Sequence, residues 1–328
     1  MTNNSALVLN SASDWRLENG ITGTGKLSKN GAGTLSLTQS AAYTGQTEIN
    51  AGGLILGSST DPMTLASQQV NIASGAFMGG FGGVAGAVDN NGTLFVGNPI
   101  SPVTSILSRL APARNLLAVG TDLTNSGTVF IGNKTSDGSG ITGNQLVVNG
   151  NYIGNNGLLH FNSALGDDSS ATDSMTVNGN TSGTTHVSVD NAGGQGAQTL
   201  NGIELIQVNG QSDGDFVQRG RIVAGAYDYS LARGVGANTR HWYLTSTTAS
   251  GDLGGTNPTV MIERPEASGY ATNLAAANNM FVTSLHDRLG ETQYIDALTG
   301  ERKVTSMWLR NAGGHNRSRD TYDQLSTQ

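Results

Sequence analysis

The stretch Asn30–Gly57 reads NGAGTLSLTQSAAYTGQTEINAGGLILG, and it decides the fold. It holds three runs typical of β-strands, TLSL, TEIN and LIL, separated by pieces rich in glycine. In TLSL the alternation places Leu35 and Leu37 on one side of a strand and Thr34 and Ser36 on the other. Because strands this short cannot form independent hairpins with a core, we expect them to be stabilised by stacking on similar strands.

The same unit recurs up to about residue 160, with turns such as DNNG, TNSG, VNGN and GNNG between the strands. Leu35 and Leu54 are 19 residues apart, whereas Val119, Val148 and Val177 follow at intervals of 29, so the repeat is irregular. The pattern predicts a right-handed parallel β-helix with Gly and Asn at its corners, and a β-sandwich is the alternative. Further strands are predicted at Leu7–Leu9, Gly25–Leu27, Thr47–Ile49, Leu54–Leu56, Val70–Ile72, Thr93–Val96, Thr128–Ile131 and Gln145–Val148.

The pattern is interrupted once and then changes. Pro99–Ala113 breaks the repeat, and Val103–Leu110 fits a short helix or a loop inserted between two turns of the chain. From residue 161 to 246 the segments are longer and more aromatic, and Arg221–Tyr229 and Arg240–Leu244 are predicted to pair as a hairpin. We expect four aromatic residues of this region to cap the open end of the stack: Tyr227, Tyr229, Trp242 and Tyr243.

The rest of the chain has a different character. Residues 247–264 begin small and polar, which is typical of a linker. Residues 265–290 then have helical periodicity, with Pro265 suited to the first turn and Gly290 suited to the end. The stripe consists of Tyr270, Leu274, Phe281, Leu285 and Leu289, and the other positions are mostly Ala, Asn, Ser and Thr, which suits a water-filled pore better than lipid. Lys303–Arg310 alternates like a strand.

The composition excludes several classes of protein. Of the 328 residues 47 are Gly, and only 12% are charged, about half the usual ~25%. The net charge is −7 without a cluster of Lys or Arg, so we expect no nucleic acid partner. The chain has no Cys, which excludes disulfides, thiolate metal sites and thiol catalysis, and which suits export through an oxidising periplasm.

Two glycine motifs resemble nucleotide-binding sequences. Gly20–Lys26 matches the start of a P-loop, but Leu27 stands where Mg²⁺ binding requires Ser or Thr, and no helix is predicted after it. Gly80–Ala85 matches a dinucleotide-binding fingerprint without the strand and helix that should flank it. We predict that both are glycine corners and that the chain binds no nucleotide and no cofactor.

The residues able to carry chemistry are dispersed. The five His residues form no metal-binding pair, and no G-x-S-x-G motif is present. Asp167, Asp168 and Asp173, and separately Asp213 and Asp215, carry Ca²⁺-binding groups but lack the spacing of known calcium loops, so we expect solvated turns and no metal. We predict that the chain is not an enzyme, and a carbohydrate-active β-helix enzyme is the least favoured alternative.

The first twenty residues have neither a basic region nor an apolar region, so they are not a signal peptide. No apolar run reaches the roughly 18 residues of a membrane helix. Taken by itself, the chain is therefore predicted to be cytoplasmic and soluble, and this inference does not hold if the chain is a piece of a longer protein.

Three blocks of sequence together resemble a known family. NGAGTLSLTQSAAYTGQTEINAGGLILG (residues 30–57) is similar to the passenger-associated transport repeat of bacterial autotransporters. LGDDSSATDSMTVNGN and GRIVAGAYDYSL resemble the autochaperone segment of pertactin-like passengers, and ERPEASGYATNLAAANNMF resembles the helix that precedes the barrel. The resemblance covers residues 31–62 and 140–328 and is strongest to the diffuse-adherence adhesins.

The resemblance implies type V secretion and a division of the chain into five parts. These are a β-helix stalk (1–160), an autochaperone or capping region (161–246), a linker (247–264), a helix inside the barrel pore (265–290) and the start of a translocator barrel (291–328). Its partners would be the outer membrane and the barrel assembly machinery, reached through a full-length parent at the cell surface. A host receptor or a glycan is the implied target of an adhesin surface in residues 1–160, which is the alternative to a structural role.

Two features depart from the family. Only 38 residues follow Gly290, enough for two or three strands, whereas a barrel requires at least about eight, so we expect a truncated barrel. In some relatives an Asn pair in the helix cleaves itself, and Asn278 and Asn279 occupy that place here. The alternative is that both side chains face the water of the pore.

Overall fold

Short strands with inward aliphatic residues build most of the molecule. The structure is a computed structural model that describes residues 1–99, 115–134, 140–248, 260–261, 270, 273–274, 277–278, 292–305, 317–319 and 325–327. The chain divides into two compact units, Met1–Ile262 and Glu263–Gln328. The helix or loop predicted at Val103–Leu110 lies outside the described residues.

The first unit is a parallel β-helix in which each turn of the chain, called a rung below, contributes strands to three faces. Rung 1 consists of β1 (Ala6–Asn10), β2 (Trp15–Leu17) and β3 (Ile21–Gly23), and rung 2 of β4 (Lys26–Asn30), β5 (Thr34–Leu37) and β6 (Ala41–Tyr43). Rung 3 consists of β7 (Thr47–Ile49), β8 (Gly53–Leu56) and β9 (Met63–Leu65), and rung 4 of β10 (Gln69–Ile72), β11 (Phe77–Gly80) and β12 (Gly82–Val84). Each strand pairs in parallel with its equivalent in the next rung, as in the row β1, β4, β7, β10.

Rungs 5 to 8 continue the same three faces. Rung 5 consists of β13 (Ala87–Asn90), β14 (Thr93–Val96) and β15 (Leu116–Val119), and rung 6 of β16 (Leu123–Asn125), β17 (Thr128–Phe130) and β20 (Gln145–Val148). Rung 7 consists of β21 (Tyr152–Ser163) and β22 (Ser174–Val177), and rung 8 of β23 (Thr181–Asn191) and β24 (Ile203–Val208). A small antiparallel pair, β18 (Asn133–Lys134) and β19 (Gly140–Ile141), projects from rung 6. The long strands β21 and β23 each turn the corner between the first and second faces, so parallel pairing continues through residue 160.

The register between rungs agrees with the intervals in the sequence. Leu35 pairs with Leu54, and Val119 pairs with Val148, which pairs with Val177. These five side chains form columns inside the helix, and each is at most 2% exposed. Leu117, Leu146 and Met175 form a further column and are equally buried. Burial of one such side chain stabilises the fold by about 1.5–3 kcal/mol relative to an exposed one. The parallel pairing between equivalent strands confirms the predicted parallel β-helix and excludes the β-sandwich.

Antiparallel strands close the carboxyl-terminal end of the stack. After β25 (Asp215–Gln218), which still pairs in parallel with β23, the chain forms β26 (Ile222–Ala224), β27 (Tyr227–Arg233), a 3-10 helix (Gly236–Asn238) and β28 (Trp242–Thr245). Strand β28 pairs with β24 on one side and with β27 on the other, and β27 pairs with β26, all antiparallel. A hairpin cap is thus confirmed, but the predicted pairing of Arg221–Tyr229 with Arg240–Leu244 is wrong. Residues 222–224 pair with 227–229 within the first segment, and residues 230–233 are the ones that pair with β28. Strands β26, β27 and β28 are called the cap below.

The remaining described segments are short. In the predicted linker, β29 (Thr247–Thr248) pairs with β30 (Val260–Met261). In the second unit, β31 (Thr292–Ile295) pairs with β32 (Arg302–Thr305), and β33 (Arg317–Arg319) pairs with β34 (Leu325–Thr327), both antiparallel. Five residues of the predicted helix 265–290 are described, namely 270, 273, 274, 277 and 278, and all five are helical. Within the described part of the chain, no helix has the length and apolar character needed to cross a membrane.

Candidate functional site at the cap

One buried hydroxyl connects the cap to two earlier loops. Tyr229, on β27, is 0% exposed, and its Oη lies 2.9 Å from the carbonyl oxygen of Gly166 and 3.0 Å from that of Ala197. The same Oη accepts a hydrogen bond of 3.0 Å from the backbone N–H of Ala197. Burial raises the pKa of Tyr229, so the hydroxyl stays protonated and can donate. A single side chain therefore fixes the cap to loops that lie 63 and 32 residues earlier in the chain.

A row of aromatic rings leads from the interior of the stack to the cap. The ring of Tyr152 on β21 stacks on Phe216 of β25 at 5.9 Å, and Phe216 meets the edge of Trp242 on β28 at 5.3 Å. All three residues are buried, with exposed fractions of 1%, 4% and 6%. Such pairs contribute about 0.5–1.5 kcal/mol beyond the burial of their area. Trp242 thus continues the core of the stack into the cap.

Arg233 covers this row from the solvent side. Its guanidinium carbon lies 4.5 Å from the centre of the Trp242 ring, which is a cation–π contact. Its Nη1 donates to the carbonyl oxygen of Ser212 at 2.7 Å, and its Nη2 donates to that of Gly214 at 2.8 Å. The side chain therefore ties β27 to the loop that precedes β25.

The other two predicted cap aromatics lie nearer the surface. Tyr227 is half-buried and packs against the core cluster, and Tyr243 is 8% exposed. Burial, and then the charge of Glu204, raise the pKa of Tyr243. On the same part of the cap the Nδ1 atom of His241 lies 2.9 Å from Oε1 of Glu204. The structure therefore places the four predicted aromatics in the cap, with Tyr229 and Trp242 at its centre.

Asp168 closes a loop at the same end of the molecule. Its carboxylate accepts hydrogen bonds of 2.8 to 2.9 Å from the backbone N–H groups of Leu200, Asn201 and Gly202. Partial burial raises the pKa of Asp168, but these N–H donors outweigh it and hold the pKa below its usual value. Asp168 was predicted to be a solvated turn residue, and this role was not visible in the sequence because its partners lie more than thirty residues away.

Asp173 is a fully buried acid at the edge of the same region. Its Oδ1 accepts from the backbone and side-chain N–H groups of Asn144, both at 2.9 Å, and its Oδ2 accepts from the backbone N–H of Asn162 at 2.7 Å. Burial raises the pKa of Asp173 to about 7, although the N–H donors act in the opposite direction. Asn115 in turn donates to Asn144 at 2.8 Å, so a polar ladder joins three rungs.

The other candidates of the sequence analysis do not come together. Asp213 and Asp215 are exposed on the surface, and Asp173 is buried with Asn partners. Among the described residues, no group of three or more His, Cys, Asp or Glu side chains could hold a metal ion. Gly80 and Gly82, from the dinucleotide-like motif, have φ angles of 140° and 108° at a corner, which confirms their prediction as glycine corners.

The predicted helix residues are only partly within the described part of the chain. Tyr270 and Leu274 are helical and exposed, at 68% and 65%. Asn278 is helical and exposed as well. Asn279 lies outside the described residues, as do the other three positions of the stripe, Phe281, Leu285 and Leu289. The pore-facing and self-cleavage roles stay predictions.

Two families match the chain where the resemblance was expected. Residues 118–231 match the family described as Autochaperone Domain Type 1, and residues 27–56 match the Passenger-associated-transport-repeat. The first match includes Tyr229 and ends at residue 231 within β27, so Arg233 lies beyond it. The second covers most of the stretch quoted at the start.

Three relatives show how far the similarity extends. The chain is 46% identical over 337 residues to the protein YuaQ of Escherichia coli K12, across 100% of this chain and 21% of YuaQ. It is 52% identical to YdeU of the same strain, across 58% of this chain and 43% of YdeU. It is 39% identical to the autotransporter adhesin AIDA-I of Escherichia coli, across 52% of this chain and 13% of AIDA-I.

The chain spans less than half the length of each of these relatives. The two matched families are an autochaperone domain and a passenger-associated repeat, and AIDA-I is named as an autotransporter adhesin. Together these similarities support an autotransporter passenger region, with a transport repeat at residues 27–56 and a type 1 autochaperone domain at residues 118–231.

Proposed function

We propose that the β-helix is the stalk of an autotransporter passenger and that the cap is the nucleus from which it folds. The observation that carries the proposal is the closure of rung 8 by antiparallel strands that are fastened to loops more than thirty residues away. Because the cap covers the carboxyl-terminal end of the stack, new rungs can pair only on the amino-terminal side of the rungs already formed. Each further rung can then add to the edge that the previous rung offers.

This order of folding would drive export. The carboxyl-terminal part of a passenger leaves the pore first, and folding outside the membrane prevents its return, so no ATP is required. The partners are then the outer membrane and the barrel assembly machinery of a full-length parent, and the location is the cell surface. In this account residues 247–264 are the linker, 265–290 lie in the pore, and 291–328 begin the translocator. The role is structural rather than enzymatic.

A matched pair of hydroxyl deletions tests the nucleus. Tyr229→Phe removes a hydroxyl that ties the cap to backbone groups of Gly166 and Ala197. Tyr43→Phe removes one at the end of rung 2 that bonds at 2.6 Å to Oγ1 of Thr47 in rung 3. Both tyrosines are 0% exposed, so each change costs about 1–3 kcal/mol. Stopped-flow refolding of the purified chain should be slower by about fivefold for Tyr229→Phe, whereas Tyr43→Phe should mainly accelerate unfolding. Equal refolding rates for Tyr229→Phe and the wild type would refute the nucleus.

A second candidate function is adhesion by the surface of residues 1–160. It is supported by the similarity to AIDA-I, whose name describes an adhesin. Deletion of residues 161–246 from a displayed parent separates the two functions. Loss of surface display supports the folding role, whereas display retained with cell adhesion unchanged contradicts it. Loss of adhesion on removal of rungs 3 to 6, with display retained, supports the binding role.

A further inference from the structure

The corner between the first and second faces changes length along the stack. In rung 4 four residues, 73–76, connect β10 to β11. In rung 5 only Asn91 and Gly92 connect β13 to β14, and in rung 6 only Ser126 and Gly127 connect β16 to β17. The surface therefore steps inward after rung 4. A groove of about 530 Å³ lies at this step.

The groove also coincides with a gap in a column of polar side chains. Asn50, Ala73, Asn91 and Ser126 occupy equivalent positions, since each follows the first strand of its rung and donates its backbone N–H to the rung before. Three of the four carry an amide or a hydroxyl, and Ala73 carries only a methyl group. Because the methyl group of Ala73 is smaller than the polar side chains at the equivalent positions, the column has a gap in rung 4. The groove is lined by Asn50, Asn71, Ile72, Ala73, Asp89, Asn90, Asn91, Thr124 and Ser126.

The polar groups of the groove are held in place and remain only partly paired. Gln69 donates through Nε2 to Oδ1 of Asn71 and to Oδ2 of Asp89, both at 3.0 Å. Among the described residues, the second carboxylate oxygen of Asp89 and the amide N–H groups of Asn71 have no hydrogen-bond partner. Within the described part of the chain, the side chains of Asn91 and Thr124 make no hydrogen bond. The groove thus presents donors and acceptors side by side.

This set of groups selects among ligand classes. Among the described residues, the lining contains no Lys or Arg, so this lining offers no cation to a phosphate, a sulfate or a sialic acid. The same described residues include one carboxylate, whereas Ca²⁺ requires about six to eight oxygen ligands. Its volume lies within the ~300–1,000 Å³ of small-molecule sites. Adjacent amide, hydroxyl and carboxylate groups match the paired hydroxyls of a sugar ring.

We infer that this groove binds a neutral saccharide. The inference gives a ligand class to the second candidate function and does not depend on the folding role of the cap. Ala73→Asn is the decisive variant, because it restores the side chain that the column lacks and fills the groove. Ala42→Asn is the matched control, since Ala42 is an exposed residue in the middle of β6 on the third face.

The experiment is saturation-transfer NMR of the purified chain with lactose, maltotriose, cellotriose and N,N′-diacetylchitobiose, and with 3′-sialyllactose as an anionic comparison. We expect at least one of the four neutral sugars to bind. We expect Ala73→Asn to weaken that binding by about tenfold or more and Ala42→Asn to leave it unchanged. The inference is overturned if none of the four binds, if sialyllactose binds as tightly, or if Ala73→Asn has no effect. The refolding rate of Tyr229→Phe tests the cap separately.

Discussion

Lys29, Asn125 and Asp173 are buried polar residues inside the stack, and each bonds to neighbouring backbone. The Nζ atom of Lys29 donates to the carbonyl oxygens of Asn30, Gly31 and Ala51, at 2.8 to 3.1 Å. Such bonds satisfy carbonyl groups at the corners, where the strand ladders end. Polar residues inside the stack therefore fix the corners, while the aliphatic columns supply most of the burial.

Asp173 makes the stability of the chain depend on pH. Burial raises its pKa in the folded state from an ordinary value of 3.8 to about 7. Between about pH 4 and pH 7 the folded state then binds more protons than the unfolded state, so the contribution of Asp173 to the free energy of unfolding falls as the pH rises. Above pH 7 the contribution is constant.

Urea unfolding of the wild type and of Asp173→Asn at pH 5 and pH 8 measures this effect. Asp173→Asn cannot titrate, and its amide N–H₂ group meets N–H donors of Asn144 or Asn162, so we expect it to be less stable than the wild type. The difference should be larger at pH 5 than at pH 8. The control is Asp213→Asn, at an exposed carboxylate. A difference that grows with pH would mean that the N–H donors keep Asp173 ionised.

At the scale of the element, the corners depend on glycines with left-handed backbone. Gly52, at the corner of rung 3, has a φ angle of 66°, and a Cβ atom there would lie 2.3 Å from the carbonyl oxygen of Gly33 in the rung below. Gly75, at the corner of rung 4, has a φ angle of 81°, but a Cβ atom there would meet nothing within 4 Å. The two corners share the backbone conformation and differ in the contact between rungs.

This difference predicts unequal effects of the same substitution. Gly75→Ala should cost only the conformational penalty, about 1 kcal/mol. Gly52→Ala should cost more, about 2 kcal/mol or above, because the rung below must also move. The midpoint of urea unfolding at unchanged m-value measures both. Equal losses would show that the close approach of the two rungs contributes nothing.

The strands with regular alternation were predictable, and the exceptions have physical causes. Leu35, Leu54 and their equivalents alternate with polar residues, so their direction was evident from the sequence. The segment GNNG was predicted as a turn, yet it lies within β21, where Asn156 has a φ angle of 58° and the pairing with β23 shifts register. A bulge and a turn use the same residues, since both need a left-handed backbone conformation.

The cap was predictable in part. Its aromatic residues and the presence of a hairpin were visible in the sequence, because both are local patterns, but the segment that pairs with β28 was not, since residues 230–233 and not Arg221–Tyr229 form that pairing. The bonds of Asp168 and Tyr229 join positions more than thirty residues apart, and Lys29 occupies an inward position that a charged residue rarely takes. Such pairings depend on the register of whole rungs, which no local pattern contains.

At the scale of the whole molecule, the β-helix is nearly one-dimensional, because each rung contacts chiefly the rungs before and after it. Stability then spreads along the stack from rung to rung, and folding can begin wherever one rung is stable without a neighbour. The cap provides such a place, since it adds antiparallel pairing, an aromatic row and bonds to distant loops at one end. We therefore expect folding to begin at the cap and to proceed toward rung 1.

Pulse-labelling hydrogen exchange during refolding of the purified wild-type chain tests this direction most directly. The measurement follows the backbone amides of β26, β27 and β28 in the cap and those of β4, β5 and β7 in rungs 2 and 3. The account predicts that the amides of the cap become protected first and that protection then reaches the earlier rungs. Protection of rungs 2 and 3 before the cap, or of all rungs at one rate, would contradict the assignment of the cap as the folding nucleus.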